Sequence, residues 1–336
     1  MKHKRYLVTG GTGFIGSSLV RRLIREGHSV RIIDNDSRGA SERLKDVAHR
    51  VEMFRADIRD ADAVQNACKG VDSVIHLAYV NGTEFFYKKP EIVLDIGVKG
   101  MINVTDGCIR QGVKEFILAS SSEVYQTPAK IPTDEDAPLI VPNPHNPRYS
   151  YGSGKIISEV IAINYGRRYF DRTLIFRPHN VYGPDMGWEH VIPQFILRMK
   201  EICKKSKNKK IDFPIQGNGA ETRAFVFIDD FIDGLMLVLE KGKNLGIYNI
   251  GTMDEISIKQ VAIEVGRYFG KNVNVVPGKP AEGGTKRRCP DITKLKKIGY
   301  DPKTPFSNGL IITANWYDKN SGKIRKPSRL ELRQSR

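Results

Sequence analysis

The stretch Thr9-Gly10-Gly11-Thr12-Gly13-Phe14-Ile15-Gly16 decides the fold. It stands between a short apolar run, Arg5–Thr9, and a segment of helical spacing, Phe14–Glu26, that stops at Gly27. Gly10, Gly13 and Gly16 are evenly spaced along it. Glycine at those points lets the chain turn sharply and lets backbone N–H groups approach a diphosphate. The helix N-terminus adds partial positive charge. Gly10, Gly13, Phe14, Ile15 and Gly16 are therefore the expected pyrophosphate contacts. The next apolar run, Ser29–Asp34, ends on a carboxylate. Asp34 is placed to accept hydrogen bonds from adenosine ribose hydroxyls and would repel a 2′-phosphate there. The expected cofactor is NAD rather than NADP, with Arg38 the one nearby residue that argues otherwise.

Outward from this turn, strand and helix alternate. Val51–Phe54, Ser73–Leu77, Glu115–Ala119 and Arg172–Arg177 read as further strands, and Ala61–Lys69 and Ile92–Gln111 as helices between them. That βαβα rhythm predicts an α/β fold, a Rossmann-type doubly wound parallel sheet covered by helices on both faces. After Pro178 the rhythm changes. His190–Lys200, Asp229–Glu240 (Asp229 as N-cap) and Ser257–Phe269 read as helices, and Arg223–Phe227, Gly246–Ile250 and Val273–Val276 as strands. Pro280–Pro290 reads as a loop and Asp291–Ile298 as a short helix. The expected division is 1–178 plus about 224–250 as the dinucleotide-binding domain and about 179–223 plus 251–315 as a smaller α/β substrate lobe. Residues 316–336 are read as a basic, disordered tail.

Composition is that of an ordinary soluble globular chain, with 40% hydrophobic and 27% charged residues among 336. No run approaches the roughly 18 apolar residues of a membrane span, and Met1–Gly10 carries no signal-peptide pattern. Cys68, Cys108, Cys203 and Cys289 stand far apart, which fits neither a disulfide framework nor a zinc knuckle and suits a reducing cytoplasm. The net charge of +16 invites a nucleic-acid reading. Its distribution weakens that reading, because Arg198–Lys210 and Trp316–Arg336 together carry +11 of it and no recognition motif lies near either. Both are read as solvated charge runs, the first a loop. His179 and His190 have no partners at metal-ligand spacing, so no metal site is expected.

Tyr151-Gly152-Ser153-Gly154-Lys155 puts a phenol and an ammonium on one face of a helix. A nearby ammonium favours phenolate, and such a tyrosine can take a proton from a sugar hydroxyl while hydride leaves the same carbon. Ser120-Ser121-Ser122-Glu123 follows the fifth strand, where strand ends of a parallel sheet line the ligand crevice.

The set resembles an extended short-chain dehydrogenase/reductase of the nucleotide-sugar epimerase/dehydratase family. The motifs that carry the resemblance run in family order over about residues 4–315: the glycine turn, Asp57-Ile58, His76-Leu77-Ala78, Ser120–Tyr125, Tyr151–Lys155, Arg177–Pro184 and Arg287-Arg288. The resemblance implies that Asp57 and Ile58 contact adenine and that Leu77 and Ala78 line the nicotinamide side. Tyr151 would be the base at the sugar C4 hydroxyl, Lys155 would hold the nicotinamide ribose, and Ser121 would hydrogen-bond the C4 oxygen. Ser122, Asn180, Arg223, Arg287 and Arg288 would bind a nucleotide-diphosphate sugar, with Asn180, Arg223 and one of Arg287 and Arg288 at its diphosphate. A homodimer through Ile92–Gln111 and Tyr151–Tyr169 is likewise implied.

All branches of that family begin by oxidising C4, and the groups beside it select the next step. Glu123, two residues after Ser121, tilts the reading beyond plain 4-epimerisation, as an acid/base at C5 serving dehydration or epimerisation. Ser122 stands where one dehydratase branch has Asp, and Lys286–Ile292 resembles the glucuronate decarboxylase branch, which is the first alternative. An NADPH-dependent keto-sugar reductase and a catalytically silent nucleotide sensor are the others. Gln126 stands where many relatives have glycine, and Pro142–Pro147 lengthens the loop before Tyr151.

Overall fold

The computed structural model describes residues 3–279 and 285–321. Six of its strands are β1 (Arg5–Thr9), β2 (Ser29–Asp34), β3 (Val51–Arg55), β4 (Ser73–His76), β5 (Glu115–Ala119) and β6 (Arg172–Pro178). With the strand Gly246–Ile250 they form one seven-stranded sheet, ordered Gly246–Ile250, β6, β5, β4, β1, β2, β3. Every neighbouring pair is parallel. The order reverses between β1 and β4, and at such a switch point the connections leave in opposite directions and open a crevice beyond the strand ends.

Successive side chains of a strand point to opposite faces, so each strand feeds two cores. Tyr6, Val8, Ile117, Leu174 and Phe176 pack on one face with Leu19, Leu23, Phe231 and Leu235. Leu7, Phe116, Leu118 and Ile175 pack on the other with Val64, Met101, Val104 and Ala162. These runs lack the polar alternation of a half-exposed sheet because both faces are covered. Beyond β6, a three-stranded sheet orders Glu255–Ser257, Thr222–Ala224 and Arg287–Arg288, and Lys210–Ile215 pairs in parallel with Asn272–Pro277.

Several expected elements differ. The helix read over Ile92–Gln111 is three pieces: Pro90–Leu94, a widened π turn Asp95–Lys99, and Gly100–Arg110. Arg198–Lys210 is not a loop. The helix Val191–Lys205 runs through most of it, burying Ile192, Phe195, Ile196 and Met199 on one side, so the lysines occupy the opposite face. Asp229 is not an N-cap, since the helix starts at Ile228 without a side-chain cap. Arg223–Phe227 divides into Thr222–Ala224 and Val226–Phe227. The tail does not begin at Trp316: the helix Phe306–Asn320 carries Trp316 and buries Tyr317 against Trp188, with ring centroids 4.9 Å apart. Residues 322–336 of that expected tail, and 280–284 of the expected loop, lie outside the described residues. No helix of the described residues is long and apolar enough to cross a membrane.

Candidate active site

The glycine turn is built as its spacing implies. Gly10 has φ +72°, the left-handed region, and a Cβ there would lie 2.9 Å from the Ala78 backbone. A Cβ on Gly16 would overlap the Gly10 carbonyl. The helix Phe14–Arg25 starts at Gly13 with no side-chain cap, so its first N–H groups remain for a ligand. The Asp34 carboxylate is held in place by the N–H groups of Thr12 and Asp36, at 3.0 and 2.9 Å. Around them lies a cavity of about 120 Å³ bounded by Gly10, Gly13, Asp34, Asp57, Ile58, Leu77 and Ala78. Asp57 is bonded to Arg59 and Asn35 at its rim. Arg38, the residue that argued for a 2′-phosphate, instead reaches Glu189 at 3.4 Å and lies over the Phe85 ring. These residues fit NAD, since the glycines let the turn close tightly on itself with the first N–H groups of the helix uncapped, and Asp34 presents an oriented carboxylate to the cavity.

A second cavity of about 380 Å³ shares Gly10, Gly13, Leu77 and Tyr79 with the first. It is also bounded by Phe14, Ile15, Gly16, Ser121, Ser122, Glu123, Tyr151, Lys155, Asn180 and Arg288. Tyr151 and Lys155 come from the helix Ser150–Tyr169, and the three serines from the turn after β5. Lys155 is buried and donates to the Ala119 carbonyl at 2.7 Å. Burial pushes its pKa down to about 7, against the opposing charge of Glu159. Burial pushes the Tyr151 pKa well above its ordinary value, the Ser121 hydrogen bond opposes this only in part and the Glu123 charge adds to it, so the lowering expected from Lys155 does not set the net direction. Ser121 caps the turn by accepting from the Glu123 N–H at 3.1 Å.

Ser120 has a different setting from its neighbour. Its hydroxyl is bonded to Glu159, whose carboxylate is gripped by the buried Arg177 at 2.7 and 2.8 Å. Arg177 also donates to the Tyr125 hydroxyl, which continues to Asn249 and His179. The Arg177–His179 motif thus forms a buried floor, and burial pushes the His179 pKa down to about 3. Gln126 has φ +50°, which explains why glycine suits the position; its side chain compensates by donating to the Glu123 carbonyl at 2.5 Å.

The arginines divide. Arg288 faces the cavity and donates to Glu123 at 2.7 Å and to Thr285 at 3.0 Å. Arg287, the other member of the pair of which one was expected at the phosphates, points away and pairs with Glu255 on the exposed side, because adjacent strand residues face opposite ways. Arg223 does not line the cavity either. Its guanidinium donates to the carbonyls of Thr222 and Thr285, and burial beside Arg288 pushes its pKa down to about 10. Asn180 lines the cavity and donates to the Ala224 carbonyl at 3.3 Å. Burial alone would raise the Glu123 pKa, but Arg288, Arg148 and Arg223 outweigh it and keep the carboxyl below its ordinary value.

Three further residues were missed. Arg148 enters the cavity from the turn Pro147–Tyr149, with its Nε buried and unpartnered. The long Pro142–Pro147 loop was its only signal. Tyr79 follows the Leu77-Ala78 pair, and Glu189 lies in the Met186–His190 loop. That loop is held by the Tyr317 hydroxyl, which donates to the Met186 carbonyl at 2.5 Å. Among the described residues no cluster of three or more His, Cys, Asp or Glu is assembled that could hold a metal ion.

Comparison with known proteins bears on this geometry. The family model described as "NAD dependent epimerase/dehydratase family" matches residues 6–251, well over half of the chain. The chain belongs to this family. NAD is accordingly its cofactor, and the expected Rossmann architecture holds. UDP-N-acetyl-alpha-D-glucosaminuronate decarboxylase of Bacillus cytotoxicus is 30% identical over 326 residues, covering 94% of this chain and 98% of that protein. Among solved structures, a dTDP-glucose 4,6-dehydratase double mutant from Streptomyces venezuelae, with NAD bound, superposes with TM-score 0.83 at 29% identity, covering 95% of this chain and 98% of that one. UDP-glucose 4-epimerase from Thermotoga maritima, with UDP-glucose, superposes with TM-score 0.83 at 28% identity, covering 94% and 99%. This epimerase/dehydratase-family chain is thus similar to lyases and isomerases of nucleotide sugars alike, and the side chains at its own site carry the choice among them.

Proposed function

We propose that this protein binds a nucleotide-diphosphate sugar, oxidises it transiently at C4, and then acts at C5, with decarboxylation of a nucleotide-linked uronic acid the reading the site supports best. The observation that carries this choice is the Arg288–Glu123 pair beside Ser121 and Tyr151. Loss of water across C5 and C6 needs a proton donor for the departing hydroxyl. Ser122 is a poor acid, and Glu123 is held as a carboxylate by three arginines. A C6 carboxylate makes a different demand, namely cations to bind it, and Arg288 and Arg148 meet that demand.

When bound, NAD supplies the hydride acceptor for oxidation at C4. Tyr151 takes the C4 hydroxyl proton, and the Lys155 ammonium favours its phenolate. Ser121 hydrogen-bonds the C4 oxygen throughout. Once C4 is a carbonyl, a C6 carboxylate belongs to a β-keto acid. Its C5–C6 bond breaks to release carbon dioxide, and the electron pair moves through C5 to the C4 oxygen, where Ser121 and Tyr151 stand as donors. Protonation at C5 then restores the carbonyl, and return of the hydride to C4 with the proton held by Tyr151 going back to the C4 oxygen closes the transient oxidation. Asn180, with Arg223 behind it, is assigned to the diphosphate side of the sugar.

The division into a dinucleotide domain, 1–178 plus about 224–250, and a sugar-side lobe, about 179–223 plus 251–315, goes with this reading. So does a homodimer, supported by the exposed apolar side chains of Leu94, Ile102, Ile157 and Val160 on the Pro90–Arg110 and Ser150–Tyr169 segments. Four free cysteines, three of them buried, support a cytoplasmic setting.

Mass spectrometry of products from the purified protein, given a panel of UDP-, GDP-, dTDP- and CDP-sugars and uronic acids, tests the reaction. Loss of carbon dioxide is expected. Loss of water would make it a dehydratase, with Glu123 as acid/base after all. Unchanged mass with altered chromatography would make it an epimerase. Turnover only with NADPH and a keto-sugar would overturn the oxidation-first reading.

A further inference from the structure

Between the two cavities stands a side chain that no motif singled out. Tyr79 lines both. Its hydroxyl is buried and has no hydrogen-bond partner. The Lys155 Nζ lies 4.1 Å from its ring centroid, and the Tyr151 ring meets it edge-on with centroids 5.0 Å apart. Tyr151 is also stacked on Phe86, again at 5.0 Å.

Two glycines from different elements make room for this phenol. A Cβ on Gly97 or on Gly154 would fall deep inside the van der Waals radius of the Tyr79 hydroxyl. Gly97 lies in the widened turn Asp95–Lys99, and Gly154 immediately precedes Lys155. A π turn interrupts regular helical bonding and is frequent at functional sites. Here the interruption and both glycines converge on one buried, unpartnered hydroxyl, which is an arrangement that packing alone does not require.

The surroundings of Lys155 explain what the ring contributes. On its own helix the nearest carboxylate is Glu159, already committed to Arg177 and Ser120. From β4 comes His76, which burial keeps neutral and which is bonded to Thr9. From β5 comes the Ala119 carbonyl. The Asp95–Lys99 turn also packs on this helix, but its Asp95 is engaged by Arg59 and its Lys99 is exposed. From the turn after β5 comes Glu123, paired with Arg288. The ammonium therefore sits on one carbonyl and one close aromatic face, that of Tyr79, with the Tyr151 ring centroid farther off at 5.9 Å. A cation over a ring face is attracted by its quadrupole, most strongly where water is excluded.

We propose that Tyr79 is a positioning residue for the proton relay: its ring face keeps Lys155 charged and seated against the Ala119 carbonyl, and its edge fixes the plane of the Tyr151 phenol. The inference rests on the reading of Tyr151 and Lys155 as the relay. The test compares Tyr79→Leu, which removes the ring, with Tyr79→Phe, which keeps it. The first readout is the titration of the Lys155 side-chain nitrogen by NMR in the full-length, cofactor-free protein, assigned by its loss in Lys155→Met. Tyr79→Leu is expected to lower that midpoint by about one pH unit and Tyr79→Phe to leave it in place. The second readout is the alkaline limb of kcat/KM, which moves to lower pH by the same amount in Tyr79→Leu and is rescued in Tyr79→Phe. An unmoved Lys155 titration in a folded Tyr79→Leu protein overturns the proposal. Should that variant not fold, Tyr79→Met takes its place with the same expectation. The titration needs no substrate, so its failure is distinct from failure of the relay reading, which full activity of Tyr151→Phe would reveal.

Discussion

Arg288 Nη1 lies 2.7 Å from Glu123 Oε1, joining the short strand Arg287–Arg288 to the turn that carries Ser121. The same guanidinium holds Thr285, a fork that a lysine cannot reproduce. Arg288→Ala is expected to lower kcat by about 100-fold or more, the usual effect of removing one oriented donor from a reacting centre. Arg288→Lys should recover little of it. Steady-state kinetics on the substrate found by mass spectrometry checks both.

The same pair has a pH signature. The Glu123 pKa lies below its ordinary value in the folded chain, because the arginines outweigh burial. A depressed carboxylate contributes stability that is fully present above its unfolded pKa and disappears as pH falls through the folded value. Glu123→Gln is expected to cost about 2 kcal/mol at pH 7, as for a hydrogen bond to a charged group. That difference from the parent protein should vanish in acid. Urea unfolding at a series of pH values measures it.

Tyr151→Phe should lower turnover by a factor of about 100 to 10,000, the range for loss of an acid/base group. NAD affinity should stay within a few fold, because the glycine turn and Asp34 are untouched. Calorimetric titration of NAD separates the two effects.

Lys155 has a folded pKa of about 7, depressed by burial. The unfolded chain then binds more protons than the folded one between about pH 7 and pH 10, so stability rises with pH across that window. Lys155→Met, which removes the buried cation, should raise the Tm of the cofactor-free protein. The gain should be largest at and below pH 7 and shrink above it, as scanning calorimetry can follow.

Val160 and Ile157 are 55% and 43% exposed on the Ser150–Tyr169 helix. Charge at both positions, Ile157→Glu with Val160→Lys, is expected to convert a dimer to a monomer in sedimentation velocity without loss of secondary structure. An unchanged sedimentation coefficient would refute the proposed face.

The fold was largely legible because its signals are local. A parallel strand buried on both faces must be a continuous apolar run, and β1, β2 and β5 have the limits their runs predict. The glycine turn is legible because φ +72° at Gly10 and the Gly16–Gly10 approach exclude every side chain. What failed was amphipathic and charged. The helix Phe306–Asn320 ends in polar residues, and only its packing of Tyr317 on Trp188 reveals a structured face. The lysines of Lys200–Lys205 hide a helix whose apolar side is set by Phe195 and Met199.

The sequence by itself determined the doubly wound sheet, the glycine turn, the carboxylate that ends β2 and the Tyr151–Lys155 pair, because each depends on backbone geometry or on spacing within one element. Tertiary structure alone decided that Arg288 and not Arg287 enters the cavity, that Arg223 is spent on backbone carbonyls, and that Arg38 is held by Glu189. It alone brought Tyr79, Gly97 and Gly154 together. The physical reason is the same throughout: a charge or a ring acquires its role from partners dozens of residues away, and strand pleat and helix packing choose those partners.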